Sequence, residues 1–315
     1  MTAQDKCNEL RSIIETQLLP LINNNYFLLD LPYHANIGDI LIWQGELDLL
    51  AKCNFKCIGY FSQLTCPKLN VHQGDVIIFH GGGNIGELYR EHINYLFFLV
   101  EHYPHNRIIV CPQSIYYQTV ELFNKDISIL LKHKDLHFCC RDERGFQMLN
   151  KKLAHVYLLP DMAFCIPISF FESFKRGTIK GSLYLKRIDG EFAPTKFSNS
   201  VDYTKDWPTF YHKLNDGLFI AKVLNTLCCK SPIGRNLFKA IWNWYAMHIY
   251  RKDLLHIGIT FIQKYDPIYT TRLHGMILAL LCRKHVTIID NSYGKNLQFA
   301  NTWLRDVDNL FIFNE

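Results

Sequence analysis

Short apolar runs recur along this chain, most of them followed by a stretch whose apolar residues repeat at helical spacing. Residues 26–31 (YFLLDL), 57–61 (CIGYF), 75–80 (DVIIFH), 107–112 (RIIVCP), 137–142 (HFCCRD) and 155–160 (HVYLLP) read as strands. Helices are expected at 5–22, 40–52, 87–102, 120–134 and 143–151. The strands are apolar almost throughout rather than at every second position, so both of their faces must be covered. That is the condition of a parallel sheet flanked by helices. A polar, glycine-containing stretch at 172–181 separates a second series, with strands at 182–187, 267–271 and 285–290 and helices at 254–265 and 273–283. The chain has 315 residues, more than one core of about 150 residues usually organises. The expected fold class is therefore α/β, with two Rossmann-like domains on parallel sheets, 1–172 and 180–295. Residues 296–315 are expected to form a C-terminal helix that packs back toward the first domain.

Composition excludes other classes. Hydrophobic residues make up 49% of the chain and charged residues 20%, enough apolar surface to rule out disorder. A net charge of +5 is small for a nucleic-acid binder, so no nucleic acid is expected as a partner. The eleven cysteines follow no repeated spacing, and several, such as Cys111, Cys139 and Cys140, sit inside apolar runs. They read as buried thiols of a reducing compartment. Cys53 and Cys57 have metal-like spacing but no partner pair, so no metal is expected. The N-terminal residues lack the apolar core of a signal peptide, and no run approaches the roughly 18 residues of a transmembrane helix. A cytoplasmic protein is expected.

In open parallel sheets ligands bind outside the carboxyl ends of the strands. Here those positions carry Asn36, Gly38 and Asp39, then Gly81, Gly82, Gly83 and Asn84, then Gln113 and Ser114, Arg141, and Asp161. Gly81, Gly83 and Gly86 formally match a dinucleotide fingerprint, but the acidic residue it requires falls at Glu101, inside a helix, and no Lys-Ser/Thr follows for a phosphate loop. The glycines are read instead as a turn that brings backbone N–H groups and the N-terminus of the 87–102 helix toward an anionic or hydroxylated ligand. In the second half Arg187 ends one strand, and Arg272, Leu273, His274 and Gly275 follow another. An arginine fork binds phosphate or carboxylate bidentately, and a histidine beside it can move protons near neutral pH. Arg141, flanked by Asp142, Glu143 and Arg144, fits a local ion network as well as a ligand site.

Taken in order, Asn36-Ile37-Gly38-Asp39, Gly81-Gly82-Gly83-Asn84, Cys140-Arg141-Asp142, Pro160-Asp161, Tyr184-Leu185-Lys186-Arg187 with Asp189 and Glu191, and Thr271-Arg272-Leu273-His274-Gly275 resemble the polysaccharide pyruvyl transferase family over nearly the whole chain. Members transfer pyruvate from phosphoenolpyruvate to a sugar, form a cyclic ketal and release phosphate, on a fold similar to the B-type glycosyltransferases. The resemblance implies phosphoenolpyruvate as donor substrate with no further cofactor, and a saccharide acceptor of a cell-surface polysaccharide or its lipid-linked precursor. It implies that Arg272, Leu273 and His274 bind phosphoenolpyruvate together with a more central arginine, Arg187 or alternatively Arg141. His274 is then the general acid/base. Asp39 or Asp161 positions or deprotonates an acceptor hydroxyl, and Asn36, Gly38, Gly81, Gly82, Gly83 and Asn84 form a cradle on the acceptor side. Thr271 stands where the family commonly has an acidic residue. The same architecture would also serve a nucleotide-sugar-dependent glycosyltransferase or a non-catalytic carbohydrate-binding protein.

Residues 200–252 form an insert with no counterpart in those motifs. Its 222–252 part holds Lys222, Lys230, Arg235, Lys239, Arg251 and Lys252 and no acidic residue, which accounts for the whole net charge: +5 minus 6 leaves −1 elsewhere. Aromatic and aliphatic residues are interleaved, consistent with an amphipathic helix after Pro232 and Gly234. Two readings apply. Such a helix suits an anionic membrane on whose inner face a lipid-linked acceptor is presented, or its aromatic face is core and its charges a solvated face.

Overall fold

The computed structural model describes residues 1–174, 178–188, 197, 200–211, 231–290 and 294–313. Asp189 and Glu191, residues 175–177 of the expected link, and Lys222 and Lys230 lie outside the described residues.

The first part of the chain runs through helix α1 (Ala3–Leu18), strand β1 (Tyr26–Leu29), α2 (Ile37–Leu50), β2 (Cys57–Phe61), β3 (Val76–Phe79), β4 (Gly82–Gly86) and α3 (Arg90–His102). It continues with β5 (Ile108–Tyr116), α4 (Val120–Leu130), β6 (Leu136–Cys140), α5 (Glu143–Leu149), β7 (His155–Leu158) and the short α6 (Ile168–Glu172). The strands form one parallel sheet in the order β2-β1-β3-β5-β6-β7, with β4 paired to the far half of β5. The second part contributes β8 (Leu183–Leu185), β9 (Tyr203–Lys205), α7 (Pro232–Tyr245), α8 (Arg251–Gln263), β10 (Ile268–Thr270), α9 (Leu273–Leu281), β11 (Val286–Ile288), α10 (Lys295–Trp303) and β12 (Leu310–Ile312). Its sheet is also parallel, in the order β12-β11-β10-β8-β9. The chain is thus α/β with two parallel sheets.

Alternation along each central strand decides which core a side chain enters. Leu28, Ile78, Ile109 and Cys139 face one side of the first sheet, whereas Phe27, Leu29, Ile77, Phe79, Val110 and Phe138 face the other, where they meet α3 and α4. The former side continues without a break through α1 and α2 into α8, α9 and the strands of the second sheet, where Leu183, Leu185, Ile268 and Val286 belong to the same buried cluster. Helix α2 is apolar nearly all round, with Ile37, Ile40, Leu41, Ile42 and Trp43 fully buried, because it is sandwiched between the first sheet and the helices of the second.

Strand order locates the crevice. In the first sheet the chain leaves β1 for β2 on one side and returns to β3 on the other; in the second it leaves β8 for β9 and returns to β10 on the other side of β8. Loops that depart in opposite directions open a cleft at the carboxyl ends of the strands. In the first sheet that cleft lies between the loops after β1 and β3, in the second between those after β8 and β10.

Three local expectations are corrected. Residues 82–86 form a strand rather than a turn leading straight into a helix, because β5 continues past Pro112 to Tyr116 and offers its edge to them; α3 starts only at Arg90, so no helix N-terminus follows the glycines directly. The C-terminal segment is not helical throughout: after α10, Leu310–Ile312 adds a strand to the second sheet beside β11. The start of the insert is not foreign to the fold, since Tyr203–Lys205 is the strand at one end of the second sheet, paired with β8. Helix α10 reaches the end of β6, where Trp303 Nε1 donates to the Arg141 carbonyl at 2.8 Å.

Candidate active site

A pocket of about 340 Å³ opens where the two switch points meet. His34, Asn36 and Asp39 enter it from the segment after β1, Gly83 and Asn84 from β4, and Arg141 from the end of β6. The second sheet contributes Arg187, Trp207, Arg272, Leu273 and His274, and α10 contributes its first residue, Lys295. Gly81 and Gly82 are buried behind this wall.

Each side chain is fixed by what the strand ends supply. Asn36 caps α2, its side-chain oxygen accepting from the Gly38 amide at 2.9 Å. One helical turn on, Asp39 Oδ2 is 2.8 Å from His34 Nε2. Burial alone would raise the Asp39 pKa, but His34, together with His274 and His80, outweighs it and holds the carboxyl below the usual carboxylate range. The strand carrying Gly83 is anchored by Glu46, whose carboxylate accepts from the Gly81 amide at 2.8 Å and meets His80 Nδ1 at 2.7 Å, all three buried. Although burial opposes the charge, the Glu46 carboxylate pushes the His80 pKa up.

Arg141 is the most constrained cation. It is fully buried, with Nε donating to Ser114 Oγ at 2.8 Å and Nη1 to Asp161 Oδ2 at 2.7 Å. Its remaining nitrogen, Nη2, is buried without a hydrogen-bond partner. A Cβ on Gly83 would lie 2.8 Å from this nitrogen and 2.4 Å from Lys295 Nζ, so the missing side chain lets the two cations close on the same point of the pocket wall. A buried donor left without a partner costs about 1–3 kcal/mol, a cost that an anion bound there would remove.

Asp161 joins the two halves. Its Oδ1 accepts from the Ala163 amide at 3.0 Å, and its Oδ2, already paired with Arg141, lies 3.2 Å from His274 Nε2. Burial would raise its pKa, yet His274 and Arg141 hold the carboxyl well below the ordinary carboxylate range. On its other side the imidazole of His274 rests on Gly38, where a Cβ would come within 2.4 Å of Nδ1. Arg272 is gripped by the buried carboxylate of Asp206, through Nε to Oδ1 and through Nη2 to Oδ2 at 2.6 Å. The same Asp206 Oδ2 accepts from the Ile188 amide at 3.0 Å, and Thr271 Oγ1 accepts from the Arg187 amide at 2.9 Å. Asp206 and Thr271 therefore tie the ends of β8 and β10 together.

Three comparisons bear on this geometry. The model of the family described as "Polysaccharide pyruvyl transferase" matches residues 36–293. The chain belongs to the polysaccharide pyruvyl transferase family. A Bacillus subtilis (strain 168) relative named "Putative pyruvyl transferase EpsO" is 31% identical over 290 residues, 88% of this chain and 85% of its own length. "Pyruvyl transferase 1" of Schizosaccharomyces pombe is 25% identical over 312 residues, 92% of this chain and 74% of its own. The crystal structure of an uncharacterised Klebsiella pneumoniae protein superposes with a TM-score of 0.65 at 19% identity, covering 97% of this chain and 99% of that one, and shows that the fold is shared.

The span matched by the pyruvyl transferase family model begins at the helix cap, Asn36, and takes in every pocket residue named above except His34 and Lys295. Of the residues singled out in the sequence, Asn36, Asp39, Gly83, Asn84, Arg141, Arg187, Arg272, Leu273 and His274 line the pocket, while Asp161, Gly38, Gly81 and Gly82 support it from behind. Several residues were not foreseen, Tyr89 and Glu91 of the pocket lining among them. His34 lies two residues before the first motif, Lys295 five residues after the last expected strand, and Asp206 and Trp207 after a three-residue strand that carries no apolar run. His92, from α3, also lines the pocket; its Nδ1 is 2.6 Å from Asp30 Oδ2, and that carboxylate raises its pKa against the opposing effect of burial. Among the described residues no three His, Cys, Asp or Glu side chains cluster in a way that would hold a metal ion.

Proposed function

We propose that the protein transfers pyruvate from phosphoenolpyruvate onto two hydroxyls of a saccharide, forming a cyclic pyruvate ketal and releasing phosphate, in the biosynthesis of a cell-surface polysaccharide. The observation that carries this reading is the convergence of Arg141, Arg187, Arg272 and Lys295 with the His274–Asp161 pair in one pocket. Its volume suits a compact ligand, small-molecule sites running from about 300 to 1,000 Å³. Phosphoenolpyruvate carries a phosphate and a carboxylate, and at least two cationic clamps are needed to hold both. Arg141 Nη2 and Lys295 form one clamp; Arg187 and Arg272, on adjacent strands of the second sheet, form the other.

The reaction moves two protons. The methylene carbon is protonated to a methyl group, leaving an oxocarbenium-like C2 that one acceptor hydroxyl attacks. The C–O bond to phosphate then breaks, and the second hydroxyl closes the ketal. Of the two hydroxyl protons, one ends on the methyl group and one on phosphate. His274 acts as the general acid/base, oriented by Asp161, and Asp39 with His34 receives an acceptor hydroxyl on the first-domain side. The acceptor is a sugar of the polysaccharide or of its lipid-linked precursor. The reaction is cytoplasmic, in keeping with described cysteines that are all free thiols.

The test is a phosphate-release assay with phosphoenolpyruvate and a panel of free and lipid-linked galactosides and mannosides, with product masses determined. Acceptor-dependent phosphate release is expected, and His274→Ala should lower turnover by about 10² to 10⁴. Consumption of a nucleotide sugar in place of phosphoenolpyruvate would overturn the reading in favour of glycosyl transfer.

A further inference from the structure

Helix α7 has two different faces. The inner one is docked on the first domain: Lys239 Nζ donates to the Cys66 carbonyl at 2.9 Å, and Asn243 Oδ1 accepts from the Tyr33 hydroxyl at 2.5 Å and the Thr65 hydroxyl at 3.1 Å. Trp242 and Tyr245 pack on the central core. The outer face is apolar and open. Ile233, Leu237, Ile241 and Trp244 are exposed at 82%, 60%, 59% and 57%, and at about 100° per residue they fall within an arc of roughly 80°. Leu64, on the loop that receives Lys239 and Asn243, is exposed at 73%. Apolar patches of this kind on an otherwise well-buried chain mark interaction surfaces.

The charge around the patch selects its occupant. Residues 231–252 contain Arg235, Lys239, Arg251 and Lys252 and no acidic residue. Arg235 and Lys252 are exposed, and Lys68 joins Lys239, Tyr60 and Trp244 around an open groove of about 610 Å³ between α7 and the loop after β2. The outer arc itself is almost wholly apolar, with the Trp244 indole N–H, the neighbouring His248 ring and Asn236 as its polar side chains, whereas protein interfaces carry about one hydrogen bond per 100–200 Å². Arg251 is buried, Lys239 is docked on the inner face and exposed Asp253 follows Lys252, so the exposed charge here is three cations, Lys68, Arg235 and Lys252, against one carboxylate. Aliphatic residues and a tryptophan beside this positive excess match the interface of an anionic bilayer.

We propose that α7 is an interfacial membrane anchor that seats Ile233, Leu237, Ile241 and Trp244 in the headgroup and upper acyl region of an anionic membrane. The assignment stands apart from the chemistry of the pocket. It does tie the pocket to the bilayer, because Asn243 holds Tyr33, the residue before His34.

Flotation of the full chain with vesicles of phosphatidylcholine alone, and of phosphatidylcholine mixed with phosphatidylglycerol, tests this. The wild type should float with the anionic vesicles only, and less so at high salt. The pair Leu237→Ser and Ile241→Ser should weaken partitioning by roughly tenfold or more, with an unchanged thermal midpoint because both side chains are already exposed. Lys252→Glu should weaken it without touching the apolar face. Absence of flotation with either vesicle, equal flotation with both, or wild-type flotation of the serine pair would each overturn the proposal. A concentration-dependent dimer that the serine pair abolishes would also overturn it, assigning the face to a second copy of the chain.

Discussion

His274 can rest where it does because Gly38 has no side chain. Alanine at that position suits the helical backbone and raises helix propensity by about 1 kcal/mol, yet its Cβ would press into the imidazole at 2.4 Å from Nδ1. Gly38→Ala should therefore leave the urea midpoint close to wild type while lowering turnover by about 10², the usual cost of a displacement near 1 Å at a group in the proposed acid/base role. Unchanged turnover would show that the ring has room to move. Asp206 positions the neighbouring arginine, and Asp206→Asn removes the charge and one acceptor from a buried guanidinium. The expected loss is about 2–4 kcal/mol of stability together with a raised KM for the proposed donor, phosphoenolpyruvate, read by denaturation and by steady-state kinetics. A wild-type KM would remove Asp206 from the positioning of Arg272. The residues of this corner differ in how readily the sequence discloses them. His274 and Arg272 directly follow an apolar strand, the position where parallel sheets place ligands. Asp206 lies 66 residues from its partner in the chain, after a strand too short and polar to be recognised.

At the scale of elements, the pocket depends on where helices begin. Helix α2 starts at Ile37, not at residue 40, because Asn36 adopts an extended conformation and caps the Gly38 amide, drawing Asp39 into the first turn. Asn36→Ala should cost about 1 kcal/mol in chemical denaturation, and Asn36→Ser should recover most of it by restoring the cap; equal losses in the two variants would mean that the side chain acts through pocket contacts instead. Asn-Ile-Gly-Asp reads as a turn to a propensity argument, and only the cap geometry shows it to be the start of the helix. The glycine run at 82–86 misleads in the opposite direction. Glycine is depleted in strands, so nothing local signals β4, and the pairing depends on the distant edge of β5. The long apolar strands and their covering helices needed no such tertiary information, which is why the α/β architecture could be read directly from the apolar runs.

Across the whole molecule, the continuous core through α1, α2, α8 and α9 makes the two sheets one body, and ionic contacts inside the pocket are part of its stability. Asp161 and Asp39 have lowered pKa values in the folded state. At acid pH the unfolded chain binds more protons at these groups, so their contribution is complete above the ordinary carboxylate pKa near 4 and is lost as pH falls toward the folded values. His80 and His92 have raised values, so their contribution is complete below about 6.5 and is lost as pH rises through the folded values. The urea midpoint should be greatest between about pH 5 and 6.5 and decline on both sides. Asp161→Asn should flatten the acid limb, and His92→Gln should flatten the alkaline limb while leaving the acid one intact. If neither variant alters the slope of its own limb, the pH dependence arises elsewhere in the molecule, and the Asp161–His274 contact does not couple the two halves through charge.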